Sequence, residues 1–273
     1  MKFYIRGGIG DLLQHFWFIK NYPQAEYIVH SHFKGVKQIF DHAGATNCSF
    51  YQFDDMDSHN SQVDAIKEVH AKENQNDIQE TPRAFYSSFD FGEEANLAAE
   101  NLANSFSSKK DIIGIHPFRS GFATSVYNEF NLPAKIIPLQ LTKNIISNNY
   151  NYLIFGSPKE LSNYGLEESE NVKFVSFDNI LYSLSAVKYC KTLIGLDSCF
   201  KSMSSMQKIN TICIIGDFPD EIRDLMFVNQ YAKDGVMKVF KTKNINDDQE
   251  AIEKFILENL HSNLQLNEVQ PNS

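Results

Sequence analysis

Two short stretches carry residues of the right types and spacing for chemistry. In RGGIGDLLQ, residues 6–14, an apolar run breaks at glycines and sets Gly10 and Asp11 where a helix-like stretch begins. In KTLIGLDSCFKSM, residues 191–203, a second apolar run breaks at Gly195 and ends in Asp197 and Ser198 before another helix-like stretch. Such turns present a reactive carboxylate, or unpaired backbone N–H groups, at the carboxyl edge of a parallel sheet. In the second turn the helix start leaves the N–H groups of Cys199, Phe200 and Lys201 to suit a diphosphate. Ser198 adds a hydroxyl there and Lys201 a cation. The plainer alternative is that Asp197 or Ser198 caps the helix with nothing bound. Asp11 likewise reads as a reactive carboxylate or as a helix cap favoured by the dipole. A dinucleotide fingerprint is poorly supported, because a G-x-G at Gly8 and Gly10 needs a third glycine where Leu13 stands.

A third group is HPFRSG, residues 116–121. A loop leaving a strand here can set Arg119 against phosphates, which guanidinium groups grip in bidentate fashion, or leave it a surface arginine. His116 reads as a structural histidine at the loop edge. Asp54, Asp55 and Asp57 form an Asp-x-Asp pattern after a strand. That pattern is one way to hold a divalent metal, but a solvated acidic loop is the better reading. The histidines show no metal-ligand spacing, and Cys48, Cys190, Cys199 and Cys213 show no CxxC pattern, so free thiols and no metal are expected.

Alternating strand and helix patterns must position these groups. Strands are predicted at 2–5, 26–32 and 48–53, with helices over 11–20 and 35–42 between them, which implies a parallel sheet. Residues 54–90 are polar and aperiodic around one helix near 63–71. A helix over 91–106 precedes SSKKD, the expected link. The alternation then restarts with strands at 111–116, 151–155, 172–176, 192–196 and 211–215. Helices are expected over 135–148, where Pro138 should break or restart the helix, then over 179–189, 198–207 and 251–260. The fold class is therefore α/β with two Rossmann-like domains facing a central cleft. The expected division is 1–108, 109–260 and a disordered tail at 261–273.

Bulk properties narrow the class. The chain of 273 residues carries a net charge of −9, which argues against coating nucleic acid through clustered cations. A groove formed by Lys34, Lys37, Lys67 and Lys72 would revive a DNA partner. No run approaches the roughly 20 apolar residues that span a bilayer, and the N-terminus lacks a signal peptide's apolar region, so a cytoplasmic protein is expected.

RGGIGDLLQ, IIGIHPFRSG, YLIFGSPKE and the block from Asn171 to Asp217 occur in this order, and together they resemble the bacterial heptosyltransferases of glycosyltransferase family 9, with the GT-B fold. The resemblance covers about the first 25 residues and most of 111–217. It implies an inverting, metal-independent transfer of a sugar from a nucleotide-diphosphate donor to a hydroxyl acceptor, a glycan or lipopolysaccharide-type sugar, with no cofactor. It also implies that Asp11 is the general base. Gly10, Arg119, Gly156, Asp197, Ser198, Cys199, Phe200 and Lys201 then bind the donor, with Gly156 in the turn beside the nucleotide base. The chain departs from the family pattern in three places: Cys199 stands where the family has glycine, Ser202 or Met203 where it has histidine, and Arg119 substitutes for a lysine before Trp-Pro. Two further readings remain open, a phage-type glycosyltransferase acting on hydroxymethylated DNA bases and a nucleotide-binding protein without turnover.

Overall fold

The computed structural model describes residues 2–6, 8–31, 35–52, 84–119, 136–216 and 230–265. The first half runs β1 (Lys2–Arg6), α1 (Ile9–Gln14), α2 (Phe16–Asn21), β2 (Glu26–Ser31), α3 (Val36–His42) and β3 (Cys48–Gln52). Its three strands are parallel in the order β1-β2-β3, with Lys2 opposite Glu26 and Tyr27 opposite Cys48. The expected helix over 11–20 starts two residues earlier and is divided at His15. The apolar face read from its sequence is nonetheless buried: Leu12, Leu13, Phe16 and Ile19 are all in the core.

The second half follows α4 (Glu93–Asn104). It contains β4 (Ile112–His116), α5 (Leu139–Ile145), β5 (Asn151–Phe155), α6 (Pro158–Tyr164), β6 (Val172–Val175) and α7 (Ile180–Ala186). It continues with β7 (Thr192–Leu196), α8 (Cys199–Met206), β8 (Asn210–Gly216), β9 (Met237–Thr242) and α9 (Gln249–Gln265). Its six strands are all parallel, in the order β6-β5-β4-β7-β8-β9. Every residue of β5 and of β7 is buried, as two-sided cover demands, and after the polar Asn151 and Thr192 that open them both read as continuous rather than alternating apolar runs.

Several boundaries differ from the sequence reading for identifiable reasons. Pro138 sits at the N-cap of α5 with extended backbone, so the helix expected from 135 begins after it. Helix α6 was not expected, although Ser157 and Glu160 form a reciprocal capping box with Pro158 at the first helical position. Strand β9 was also missed; its mixed burial suits an edge strand with a weak apolar signal. Helix α9 runs to Gln265, through the first five residues of the expected tail, and the remainder of that tail lies outside the described residues. The segment expected as one helix near 63–71 lies outside them too.

The two sheets share one apolar cluster. It contains Phe16, Ile39 and Phe40 from the first half together with Phe155, Phe200 and Cys213 from the second. Residues 84–92 thread through it: Phe16 packs on Phe85 and Phe89 at 5.9 and 6.0 Å, and Ser87 N–H donates to the Met206 carbonyl. Gly92 then turns the chain at φ 89°, a left-handed value that favours glycine, into α4. Helix α4 packs on α7: Tyr182 donates to Glu94, and Asn96 accepts from Ser185 and Lys188. A second cluster, including Ile115, Leu141, Ile194 and Ile256, covers the other face of the large sheet.

Candidate functional site

Numbered from its own first strand to its last, the large sheet has the order 3-2-1-4-5-6, the doubly wound arrangement. The direction of winding reverses between β4 and β7. Loops leaving the carboxyl ends of such neighbours diverge and open a crevice, which is where α/β proteins bind ligands. A cleft of about 720 Å³ lies there. From the large sheet it is lined by His116 at the end of β4, Arg119 beyond it, and Asp197, Ser198, Cys199 and Phe200 after β7. Gly8, Ile9, Gly10, Gly35 and Gln38 of the first half close it from the other side.

Close backbone approach brings the two halves together at the floor. A Cβ on Gly10 would lie 3.1 Å from the Cys199 nitrogen and 3.2 Å from the Ser198 carbonyl carbon, so α1 rests on the start of α8 only because residue 10 has no side chain. Gly35, at the head of α3 with φ 90°, lies instead against a side chain, where a Cβ would meet the Cγ2 methyl of Ile180, at the head of α7, at 3.1 Å.

The residues after β7 are tied by charge and hydrogen bonds. Lys201 Nζ contacts Asp197 Oδ1 at 2.5 Å, with the lysine 4% and the aspartate 13% exposed. Arg119 approaches the other carboxylate oxygen at 3.7 Å. Together these three side chains carry one net positive charge, and deleting Asp197 would strand a buried ammonium, a loss of roughly 3–5 kcal/mol. Ser198 caps α8 by accepting the Lys201 N–H, and its Oγ lies 3.0 Å from His116 Nδ1. His116 is buried against Phe200, and desolvation drives its pKa down to about 3, so the ring is neutral. Burial pushes the Cys199 thiol up to about 12, against the opposing pull of N–H groups from Phe200 and its own backbone. A neutral sulfur therefore occupies the helix start, not a thiolate nucleophile.

The cleft gathers most of the residues singled out from sequence: Gly10, Arg119, Gly156, Asp197, Ser198, Cys199 and Phe200 all line it. Lys201 does not; its ammonium turns to Asp197, and its N–H is taken by Ser198. Asp11 follows Gly10 in α1, and its side chain lies outside what the structure describes. Gly156 has a packing reason of its own, since a Cβ would meet the Phe118 ring at 2.7 Å. Asp54, Asp55 and Asp57 lie outside the described residues, as do Lys34, Lys67 and Lys72. Lys37 of that lysine set is exposed and paired with Asp41. Among the described residues no cluster of His, Cys, Asp and Glu could hold a metal, and no helix is long and apolar enough to cross a membrane.

Glu160, Gln38 and Ser183 also line the cleft and were missed. The S-x-x-E capping pattern from Ser157 was the available signal for Glu160, whose carboxylate accepts the Ser157 N–H at 2.8 Å. Gln38 and Ser183 carried none, because their place depends on how the two halves meet.

No protein-family model matches the chain, and no curated protein matches it in sequence. Solved structures do match in shape. E. coli ADP-heptose lipopolysaccharide heptosyltransferase II is 14% identical, with 98% of this chain and 100% of that one covered at a TM-score of 0.60. A family 9 glycosyltransferase from Veillonella parvula is 10% identical, with 88% and 86% covered at 0.57. E. coli heptosyltransferase WaaC with ADP is 10% identical, with 95% and 100% covered at 0.50. Likeness over the whole length at such low identity speaks for architecture: two parallel α/β sheets meet at a switch-point cleft, and this chain has the GT-B fold of the heptosyltransferases.

Proposed function

We propose that the protein is a glycosyltransferase that moves a sugar from a nucleotide-diphosphate donor to a hydroxyl acceptor, inverting the anomeric carbon without a metal. The observation that carries this reading is the cleft at the β4–β7 switch point, where Arg119 and the capped start of α8 stand opposite the glycine turn of α1. In the proposed reaction the acceptor oxygen attacks the anomeric carbon in line as the bond to the diphosphate oxygen breaks. The departing diphosphate takes the electron pair, and Arg119 and the Ser198 hydroxyl offset its charge. Asp11 takes the acceptor proton. Residues 109–260 would hold the donor and residues 1–108 the acceptor, with the cytoplasm as the setting.

A second reading, a nucleotide-binding protein without turnover, is favoured by one observation. The Cys199 sulfur sits on N–H groups of residues 199 and 200 that a phosphate would otherwise meet. Incubation with a panel of nucleotide sugars and glycan acceptors, read by mass spectrometry of products, tests both. Transfer that persists in EDTA is the expected result. Nucleotide binding with neither transfer nor donor hydrolysis would favour the second reading, and activity lost to EDTA and restored by manganese would overturn the metal-free mechanism.

A further inference from the structure

Ser198 has one hydroxyl proton and two acceptor lone pairs, and the cleft makes competing claims on them. As the cap of α8 its Oγ accepts the Lys201 N–H. It also stands 3.0 Å from His116 Nδ1, and both residues line the cleft. The His116 ring lies against Phe118 and Phe200, with centroids at 6.0 and 4.4 Å, and desolvation keeps it neutral. A neutral imidazole carries one proton and can place it on either nitrogen.

The two placements have opposite consequences for an anion in the cleft. With the proton on Nε2, Nδ1 is an acceptor and Ser198 must give its only proton to the ring. Its Oγ then turns a bare lone pair toward any phosphoryl oxygen, and the two repel. With the proton on Nδ1, the ring donates to Oγ, the Lys201 N–H fills the second lone pair, and the hydroxyl proton is left for the ligand. Every donor and acceptor of the Ser198 hydroxyl is then used.

We infer that His116 is a positioning residue: when a nucleoside diphosphate is bound, its Nδ1–H donates to Ser198 Oγ, and Ser198 O–H donates to a phosphoryl oxygen. This deepens the donor-binding reading above and rests on it. The ring holds one proton and the hydroxyl one proton in both arrangements, so the ligand selects between tautomers without changing the charge of the pair. His116 touches no substrate in this scheme. It decides whether the serine beside the diphosphate presents a proton or a lone pair.

The test uses full-length protein labelled with 15N-histidine, titrated with ADP, UDP, GDP and CDP and followed by long-range 1H–15N NMR. The His116 signals are assigned by their loss in His116→Asn. The expected result is a His116 ring protonated on Nδ1 alone in the complex. In parallel calorimetry, Ser198→Ala should weaken binding by about tenfold or more, the effect of one hydrogen bond to a charged group. His116→Phe leaves the hydroxyl its proton but removes the donor that orients it, and should weaken binding by more than about threefold but less than Ser198→Ala. His116→Asn, whose amide can imitate Nδ1–H, should stay within about threefold of wild type. The double change His116→Phe with Ser198→Ala should weaken binding no further than Ser198→Ala alone. Wild-type protein that binds a diphosphate while His116 keeps its proton on Nε2 overturns the inference and spares the donor reading. So does an asparagine variant that fails as badly as phenylalanine. Wild-type protein that binds none of the four removes both.

Discussion

The two helix starts at the floor of the cleft, α1 in the first half and α8 in the second, are built on opposite plans. Helix α1 arrives bare: Gly10 lets its backbone lie directly on Ser198 and Cys199. Helix α8 arrives dressed, its cap hydroxyl shared with His116 and the Asp197 carboxylate just before the cap held between Arg119 and Lys201. Both sequences show glycine and aspartate after an apolar run. In one place the glycine admits a neighbouring backbone, and in the other the polar side chains after the strand organise a network. Similar punctuation thus leads to two physical roles, backbone approach and side-chain electrostatics, and substitution should separate them.

The largest expected effect falls on the bare side. If Asp11 is the base, Asp11→Asn should lower turnover by about 10²–10⁴-fold, roughly 3–5 kcal/mol of barrier, and leave nucleoside diphosphate affinity near wild type. Initial rates paired with calorimetric titration check this, and an undiminished rate would reduce Asp11 to a helix cap. On the dressed side, Arg119→Ala should weaken diphosphate binding by about 10- to 100-fold, as expected for a charge-assisted hydrogen bond. Affinity that does not move would mean that Arg119 serves Asp197 alone.

Gly10→Ala tests the contact between the two starts. Its new methyl group meets backbone rather than the end of a flexible side chain, so the loss should be about 1–3 kcal/mol, read from the denaturant midpoint. A neutral result would mean that α1 can shift away from α8 at little cost.

The effect that is smallest near neutral pH is a slope. His116 has its folded pKa depressed to about 3 from 6.5, so the unfolded chain binds the extra proton first. Its contribution to stability is fully present above pH 6.5 and is lost as pH falls toward 3. The corresponding slope is about 1.4 kcal/mol per pH unit between those limits. His116→Asn should therefore flatten the acid limb of the stability curve relative to wild type. Parallel acid limbs would mean that the ring is not kept neutral in the fold.

The large sheet was legible because its central strands are buried on both faces and spell short apolar runs, as in 152–155 and 193–196. Edge strand β9 was not, since only its ends are buried. In the cleft, Arg119, Asp197 and Ser198 stood out because each follows a strand at a turn. That Lys201 faces Asp197 rather than the cleft could not be read from spacing, because an i,i+4 pair also leaves the lysine free to reach outward. His116 was read as structural, and its hydrogen bond to Ser198 depends on strands β4 and β7 lying side by side, a pairing between residues far apart in the chain.

The apolar cluster common to both sheets has a consequence for heat. Phe85 stacks on Phe16 of the first half and Phe89 packs on it at a tilt, while the neighbouring Ser87 is bonded to Met206 of the second. Neither sheet can lose its packing without exposing apolar surface that belongs to the other. Calorimetry should accordingly record one cooperative melting event rather than two, and a fragment ending near residue 83 should not hold its three strands together.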